Sequence, residues 1–489
     1  MAMVSRRAFL STIGLAAAGA AAGPAAGASA AAAMRHPGML HTQADFVRIQ
    51  ARLAAGDAVV TAGWQRLTAN PHARSTWPPL ATATVVRGGT GQDYVHFYRD
   101  VHAAYQNALR WRISGERAHG DAARDILNAW SRTLTTVTGN ADRFLAAGIY
   151  GYQFANAAEL MRGYDGFDLA RAQRLLRTVF LPLNEDFLAH HNGACITNYW
   201  ANWDLCTIAS VLAIGILCDD RALVDRAVAY ARGGAGNGAI GNAVPILHGA
   251  LGQWQESGRD QGHSLMGVGL LASICEMAFN QGIDLYGHDD DRFLKGAEYV
   301  ARYNLGRDVP FTTYRWGNGQ NCAPREQTVI AAAGRGSVRP IWEMILHHYV
   351  SRRGLAAPNV AAIAARDRAE GGGGDYGLAS GGFDALGFGT LLYTREPVAA
   401  TSLASPARTS ATPSASATGT VKPSSRAATT SAVAPAEPVV TSAAAEPAVP
   451  AAASTGAGLP GLIGAGALAT ALAGGLIVRR ARRRDGDQG

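Results

Sequence analysis

Cys206-Thr207-Ile208-Ala209-Ser210-Val211-Leu212-Ala213-Ile214-Gly215-Ile216-Leu217 carries no charge and presents no polar face. A helix over these residues is apolar almost all round, and so is one over Leu265 to Ile274. Helices of that kind are buried on both faces rather than laid on a surface. The runs on either side are more ordinary amphipaths. Thr42-Gln43-Ala44-Asp45 reads as an N-cap with an acidic residue three later, leading into Phe46, Ile49 and Leu53. Helical spacing predicts further helices over Tyr94 to Ile113, Asp121 to Leu134, Ala146 to Met161, Leu169 to Leu188, Asn198 to Leu217, Arg221 to Ala231, Gly262 to Phe279, Asp291 to Tyr303 and Val338 to Val350.

No run with a period of two stands out before Gly381, so residues 35–395 read as one all-α domain of helical hairpins joined by short links. Two helices buried on every side suit the inner ring of an α/α toroid, an incomplete barrel of such hairpins; a globin-like bundle is the plain alternative. Gly381 to Tyr393, with glycines at 381, 382, 387 and 389, reads as a last short element packing back onto the rest.

The ends of the chain differ from its middle. Residues 1–34 open with Ser5-Arg6-Arg7-Ala8-Phe9-Leu10, continue through an Ala/Gly-rich run and reach small residues at Ala28-Ser29-Ala30, the order of a twin-arginine export signal. Residues 396–457 are Ala, Thr, Ser, Pro and Val with few charges and no aromatic residue, a composition that cannot build a core and reads as a disordered spacer. Gly458 to Val478 is free of charge and, at ~1.5 Å per residue, long enough as a helix to cross a bilayer. The arginines of the tail 479–489 would keep that end cytoplasmic and leave 35–395 outside the membrane. The net charge of +7 comes largely from these ends, so no basic stripe remains to argue for nucleic acid.

The five cysteines lack the close pairs of a zinc site. Cys206, Cys218 and Cys275 sit in apolar runs and read as buried thiols. A disulfide involving Cys195 or Cys322 stays open. No metal or other cofactor is called for. Asp289-Asp290-Asp291 lacks the calcium-loop pattern and reads as an acidic helix start, and phosphate-loop, nucleophile-elbow and dinucleotide motifs are missing.

Three clusters could carry chemistry. Trp254-Gln255-Glu256-Ser257-Gly258-Arg259-Asp260-Gln261-Gly262-His263 is the densest. With a helix starting near Ser257, Arg259 and His263 stand one turn apart, a cation beside a group able to act as a base near neutral pH. The bland reading pairs Arg259 with Glu256 and Asp260. In Asn198-Tyr199-Trp200-Ala201-Asn202-Trp203-Asp204, helical spacing would align Asn198 with Asn202 and Tyr199 with Trp203, amides beside aromatic faces, which suits a sugar; core tryptophans are the alternative. Tyr314, Arg315 and Trp316 lie in an aromatic and basic loop, with Tyr303 just before it. For Arg339, Glu343 and His347, salt bridging between helices is at least as good a reading as catalysis.

These pieces resemble, in order, the alginate lyase superfamily of polysaccharide lyases, whose catalytic domain is an α/α toroid acting on uronic-acid polymers such as alginate and glucuronan. The likeness runs from His36-Pro37-Gly38-Met39-Leu40 through the two clusters around Asn202 and Arg259 and Arg339-Pro340-Ile341-Trp342-Glu343 to Phe383–Tyr393. It implies β-elimination: Asn202 or Asn198 with Arg259 neutralising the substrate carboxylate, His263 as base and Tyr314 as acid to the leaving oxygen. Tyr199, Trp200, Trp203, Gln255, Glu256, Gln261, Arg315 and Trp316 are then expected to bind substrate, an acidic polysaccharide. The Asn-His pair of the alginate-lyase pattern is absent, since Asn198 is followed by Tyr199, which points to a divergent subgroup. Two other readings remain: a toroidal glycoside hydrolase using carboxylates from Glu256, Asp260 or Asp204, and a non-catalytic polysaccharide-binding protein at the cell surface.

Overall fold

The computed structural model describes residues 33–397. These belong to the first of two units of the chain, Met1–Arg408 and Thr409–Gly489. Nearly all of the expected leader, nearly all of the spacer, and all of the C-terminal helix and basic tail lie outside the described residues.

Helices dominate, and the most apolar of them form the interior. All residues of Ala201–Leu217 are buried, as are all of Gly151–Leu160 and most of Gln261–Asn280 and Val95–Ser114. Gln261–Asn280 is also long and apolar enough to span a membrane, but its burial makes it a core helix of this domain. Neighbouring inner helices approach closely because glycines face larger partners. A Cβ on Gly148 would lie 2.4 Å from Cys206 Sγ, and one on Gly151 would lie 2.3 Å from Ser210 Oγ. These two contacts, three and four residues apart along their helices, show that the helices run in the same direction. Amphipathic helices such as Arg117–Thr133 and Arg221–Gly233 alternate with them along the chain and cover them from outside. The result is the array of hairpins expected, consistent with an α/α toroid.

The differences lie at element ends and in small sheets. The helix expected from Asn198 starts at Ala201, because Trp200 is extended and the Ala201 N–H is taken by the Gln255 side chain at 3.0 Å. Asn198 and Tyr199 therefore do not share a helix face with Asn202 and Trp203. The helix expected near Ser257 begins at Gln261, capped by Asp260. The helix expected over Val338 to Val350 is shorter at its start, Trp342–Leu346, and continues through a wider π turn, His347–Arg352. Residues 289–291 have positive φ, so they form the turn before the helix proper; Asp289 and Asp290 pair with Arg292 and Lys295, and Asp291 with Arg353.

Among the described residues there are three two-stranded sheets, which were not expected. The largest is an antiparallel hairpin, Tyr314–Asn318 with Ala323–Gln327, where sequence reading gave a loop. A disulfide between Cys195 and Cys322 ties its tip to the segment leading into Ala201–Leu217. Cys206 and Cys275 are buried free thiols, and Cys218 is partly buried.

Candidate active site

The Glu256–His263 strip lies where the Gln261–Asn280 helix begins, beside the start of Ala201–Leu217 and under the hairpin. Asp260 does two things there. Its Oδ1 caps the helix by accepting the His263 N–H at 2.8 Å, and its Oδ2 lies 2.7 Å from His263 Nδ1. The other ring nitrogen, Nε2, lies 3.1 Å from Arg259 Nη2. A carboxylate only accepts and a guanidinium only donates, so these partners select the tautomer with a proton on Nδ1 and a lone pair on Nε2. That leaves an oriented lone pair on Nε2, and 39% exposure of the side chain leaves it open to solvent. Burial works against the charged form of Asp260, but the hydrogen bonds and charge of His263 outweigh it and hold the carboxyl below its ordinary range.

Arg259 is the cation of the site. Its guanidinium donates to Glu256 Oε1 at 3.0 Å and lies 5.3 Å from the Trp200 ring centre. Glu256 is fully buried, and its second oxygen accepts the Asn202 backbone N–H at 3.2 Å. Burial pushes the Glu256 carboxyl up despite the pull of Arg259 and His263. The Arg259 guanidinium is thus aligned from below by the Glu256 carboxyl, while its side chain keeps 22% exposure to solvent.

The hairpin closes the far side. Strand alternation puts Tyr314 and Trp316 on one face, their rings stacked 6.0 Å apart, and Trp316 lies 5.0 Å from Trp200. Arg315 falls on the opposite face and pairs with Glu326 at 3.3 Å, so it is not the companion of Tyr314 that adjacency in sequence suggested. The Tyr314 hydroxyl accepts from Gln255 Nε2 at 3.2 Å and donates to Asn237 Oδ1 at 3.3 Å. Burial, with the nearby Glu256 charge, pushes its phenol up against the opposing Gln255 hydrogen bond, so it stays protonated through neutral pH.

Several expected substrate contacts are instead the frame of the site. Gln255 and Gln261 are buried; Gln261 Nε2 donates to the Ser257 and Ala331 carbonyls, and its Oε1 accepts from Asn304. Trp203 packs in the core against Phe187. Tyr199 stands against Trp203 and Phe187, its hydroxyl accepting from Asn192. Asn198 Oδ1 accepts the Gly319 N–H at 2.6 Å and helps to clasp the hairpin. Asn202 is 1% exposed, with Nδ2 3.7 Å from Met266 Sδ and its Oδ1 without a partner. Tyr303 is buried under Arg335. Arg339 pairs with Asp384 rather than with Glu343, whose partners are Arg368 and, less well aligned, His347.

Arg87 was missed. Its guanidinium lies 5.1 Å from the Tyr94 ring and 5.4 Å from that of Tyr150, and donates to the Tyr150 hydroxyl at 3.0 Å. Among the described residues it makes no ion pair. The only sequence signal is an arginine followed by two glycines after an apolar pair, Val85-Val86-Arg87-Gly88-Gly89.

Residues 73–309 match the model of the family described as Alginate lyase. No curated protein matches. Solved structures similar to this chain include alginate lyase A1-III from Sphingomonas species A1, with 14% identity over 74% of this chain and 98% of that one and a TM-score of 0.49. An alginate lyase from Bacteroides ovatus has 11% identity over 74% of this chain and 100% of its own, also with a TM-score of 0.49.

Proposed function

We infer that the protein is a polysaccharide lyase that cuts a 1,4-linked uronic-acid polymer, alginate or glucuronan, by β-elimination. The observation that carries the mechanism is the Asp260–His263–Arg259 line, which holds an imidazole lone pair 3.1 Å from a guanidinium nitrogen. A uronate entering between them gives its carboxylate to Arg259 and its C5 proton to His263 Nε2. Charge then moves from the C–H bond into the carboxylate as an enediolate, where a fixed guanidinium stabilises it more than in the ground state. The C4–O4 bond breaks, C4=C5 forms, and the departing O4 takes a proton. Tyr314 is the acid we assign to that step, because its phenol stays protonated and its ring lies beside Trp316 on the site face. Trp200 and Trp316 offer the sugar its aromatic walls. Asn198 is taken up by the hairpin and Asn202 is buried with its amide oxygen unpartnered, which leaves Arg259 as the solvent-open neutralising group.

A hydrolase needs two carboxylates flanking the bond. Glu256 and Asp204 are both fully buried, and Asp204 already serves His191, Tyr230 and the Gly238 N–H. The test is to incubate the full chain with alginate, polymannuronate, polyguluronate and glucuronan. Ultraviolet absorbance of unsaturated uronate ends is expected; new reducing ends without it would reject the lyase reading.

We further propose that the inner helices close into an α/α toroid, that residues 1–34 direct export, and that 458–478 anchors the catalytic domain outside the membrane through the 396–457 spacer. The support for export and anchoring is the sequence pattern alone. Truncation after residue 457 is expected to release the protein from the membrane fraction, and unchanged retention would remove the anchor from the account.

A further inference from the structure

The hairpin lies beyond the matched stretch 73–309 and forms a second concavity that the elimination step does not use. It has a volume of about 870 Å³ and is lined by the loop Cys195 to Thr197, by Trp316 and Gly317, and by Arg315, Arg325 and Glu326 around Pro324. Neither His263 nor Arg259 borders it. Its size falls within the range of small-molecule pockets, roughly 300–1,000 Å³. Its walls combine what a charged sugar ring needs, apolar surface from Ile196, Pro324 and Trp316 beside guanidinium donors.

The two arginines differ. Arg315 already faces Glu326 at 3.3 Å, whereas Arg325 makes no ion pair among the described residues. Arg325 is paired in register with Trp316, which places it on the same hairpin face as the aromatic that packs on Trp200. Trp316 therefore belongs to both places: its ring meets Trp200, over which Arg259 sits, and it also lines the second concavity.

We propose that the concavity is a distal subsite for a further uronate of the same polymer chain, with Arg325 binding that sugar's carboxylate. The proposal rests on the lyase reading for its substrate class. A guanidinium free of internal partners loses little when it takes up a carboxylate, and it can do so through two parallel N–H donors. Its site lies away from the bond that breaks, so its contribution is to binding and not to the chemical step.

The test uses the full chain and uronate oligomers of defined length, from trimer to hexamer, with Arg325→Ala and Arg325→Lys. Arg325→Ala is expected to raise KM for the hexamer about tenfold at unchanged kcat, roughly the loss of one charge-assisted contact. Trimers too short to reach the concavity should show no change, and Arg325→Lys should recover part of the hexamer effect. Equal KM values for wild type and Arg325→Ala at every length would overturn the subsite, and so would an equal loss at every length. Tryptophan-fluorescence titration with hexauronate and with a neutral hexasaccharide separates this result from the lyase reading. If wild type cleaves no uronan but binds hexauronate in an Arg325-dependent way, the lyase reading falls and the subsite stands. If it cleaves, and Arg325→Ala binds hexauronate as wild type does, the subsite falls alone. Equal quenching by the neutral sugar would remove the carboxylate from the proposal.

Discussion

Among the described residues, two clusters of arginine, glutamate and histidine make a contrast, one open and one closed. At the helix start, Arg259, Glu256 and His263 meet with Asp260, and the imidazole is 39% exposed. Deeper in the fold, Arg368, Glu343, His347 and Glu370 meet, and the His347 side chain is only 10% exposed. There Arg368 grips Glu343 through two hydrogen bonds of 2.6 and 3.0 Å, while Glu370 Oε1 accepts the backbone N–H groups of Trp342 and Glu343. Burial and the neighbouring Glu343 charge push the Glu370 carboxyl well above its ordinary value, and its Oε2 has no partner. The inventories are nearly the same, but the second cluster binds helices to one another and the first stays open to solvent. Chemistry is decided by what each histidine's second nitrogen can still reach.

The largest expected difference is between the two histidines. His263→Ala should lower kcat by about 10²–10⁴, the usual range for loss of a general base, with helicity unchanged by circular dichroism. His347→Ala should leave kcat unchanged. Equal kinetic losses would erase the distinction drawn between the clusters.

The two arginines should separate in the same way. Removing Arg259 by substitution with alanine should cost about 10²–10³ in kcat, the range for one donor to a developing anion. Arg368→Ala should instead lower unfolding free energy by about 3 kcal/mol in a urea titration, because Glu343 is left charged and buried. We place it at the lower end of that range since the Arg368 side chain is 34% exposed. A folded, fully stable Arg368→Ala variant would show that the buried pair does not hold the helices.

The smallest effect is in the dependence of stability on pH. Burial opposes ionisation of Glu343, but His347 and Arg368 bring its carboxyl below the ordinary value. Its contribution is therefore present above its unfolded pKa and is lost as pH falls through the folded one. Glu370 is shifted the opposite way, so its contribution is complete below its unfolded pKa and is lost as pH rises through the folded one. Glu370→Gln keeps the acceptor for Trp342 and Glu343 without the titration. The fall in stability from mildly acidic to alkaline pH should shrink in that variant, and an unchanged slope in denaturant titrations across pH would place the titrating group elsewhere.

The helical layout was legible because burial leaves a strong mark: an uncharged run such as Cys206–Leu217 has no surface reading. The Glu256–His263 strip was legible for the opposite reason, its density of polar groups beside an apolar run. What escaped depends on contacts between distant segments. Trp200 and Asp260 start their helices because of Gln255 and His263, and the first of these contacts is invisible to local spacing. The hairpin escaped because each strand has only five residues and its register depends on partners such as Thr197 and Cys195 more than a hundred positions earlier. Buried and exposed versions of one cluster cannot be told apart by composition, which is why Gln255, Glu256 and Gln261 read as substrate contacts although they form the frame.

Because Gly151–Leu160 and Ala201–Leu217 run the same way, their starting turns lie on one side, and Trp200 and Arg259 sit in segments that feed such helices. Such a layout separates two kinds of evolutionary change. Lengthening a feeding segment alters what the enzyme grips and leaves the interior untouched, so related enzymes can diverge in the polymer they digest while keeping one scaffold. An engineer wishing to retarget this protein would randomise those segments and the hairpin, and leave the glycine contacts between helices alone.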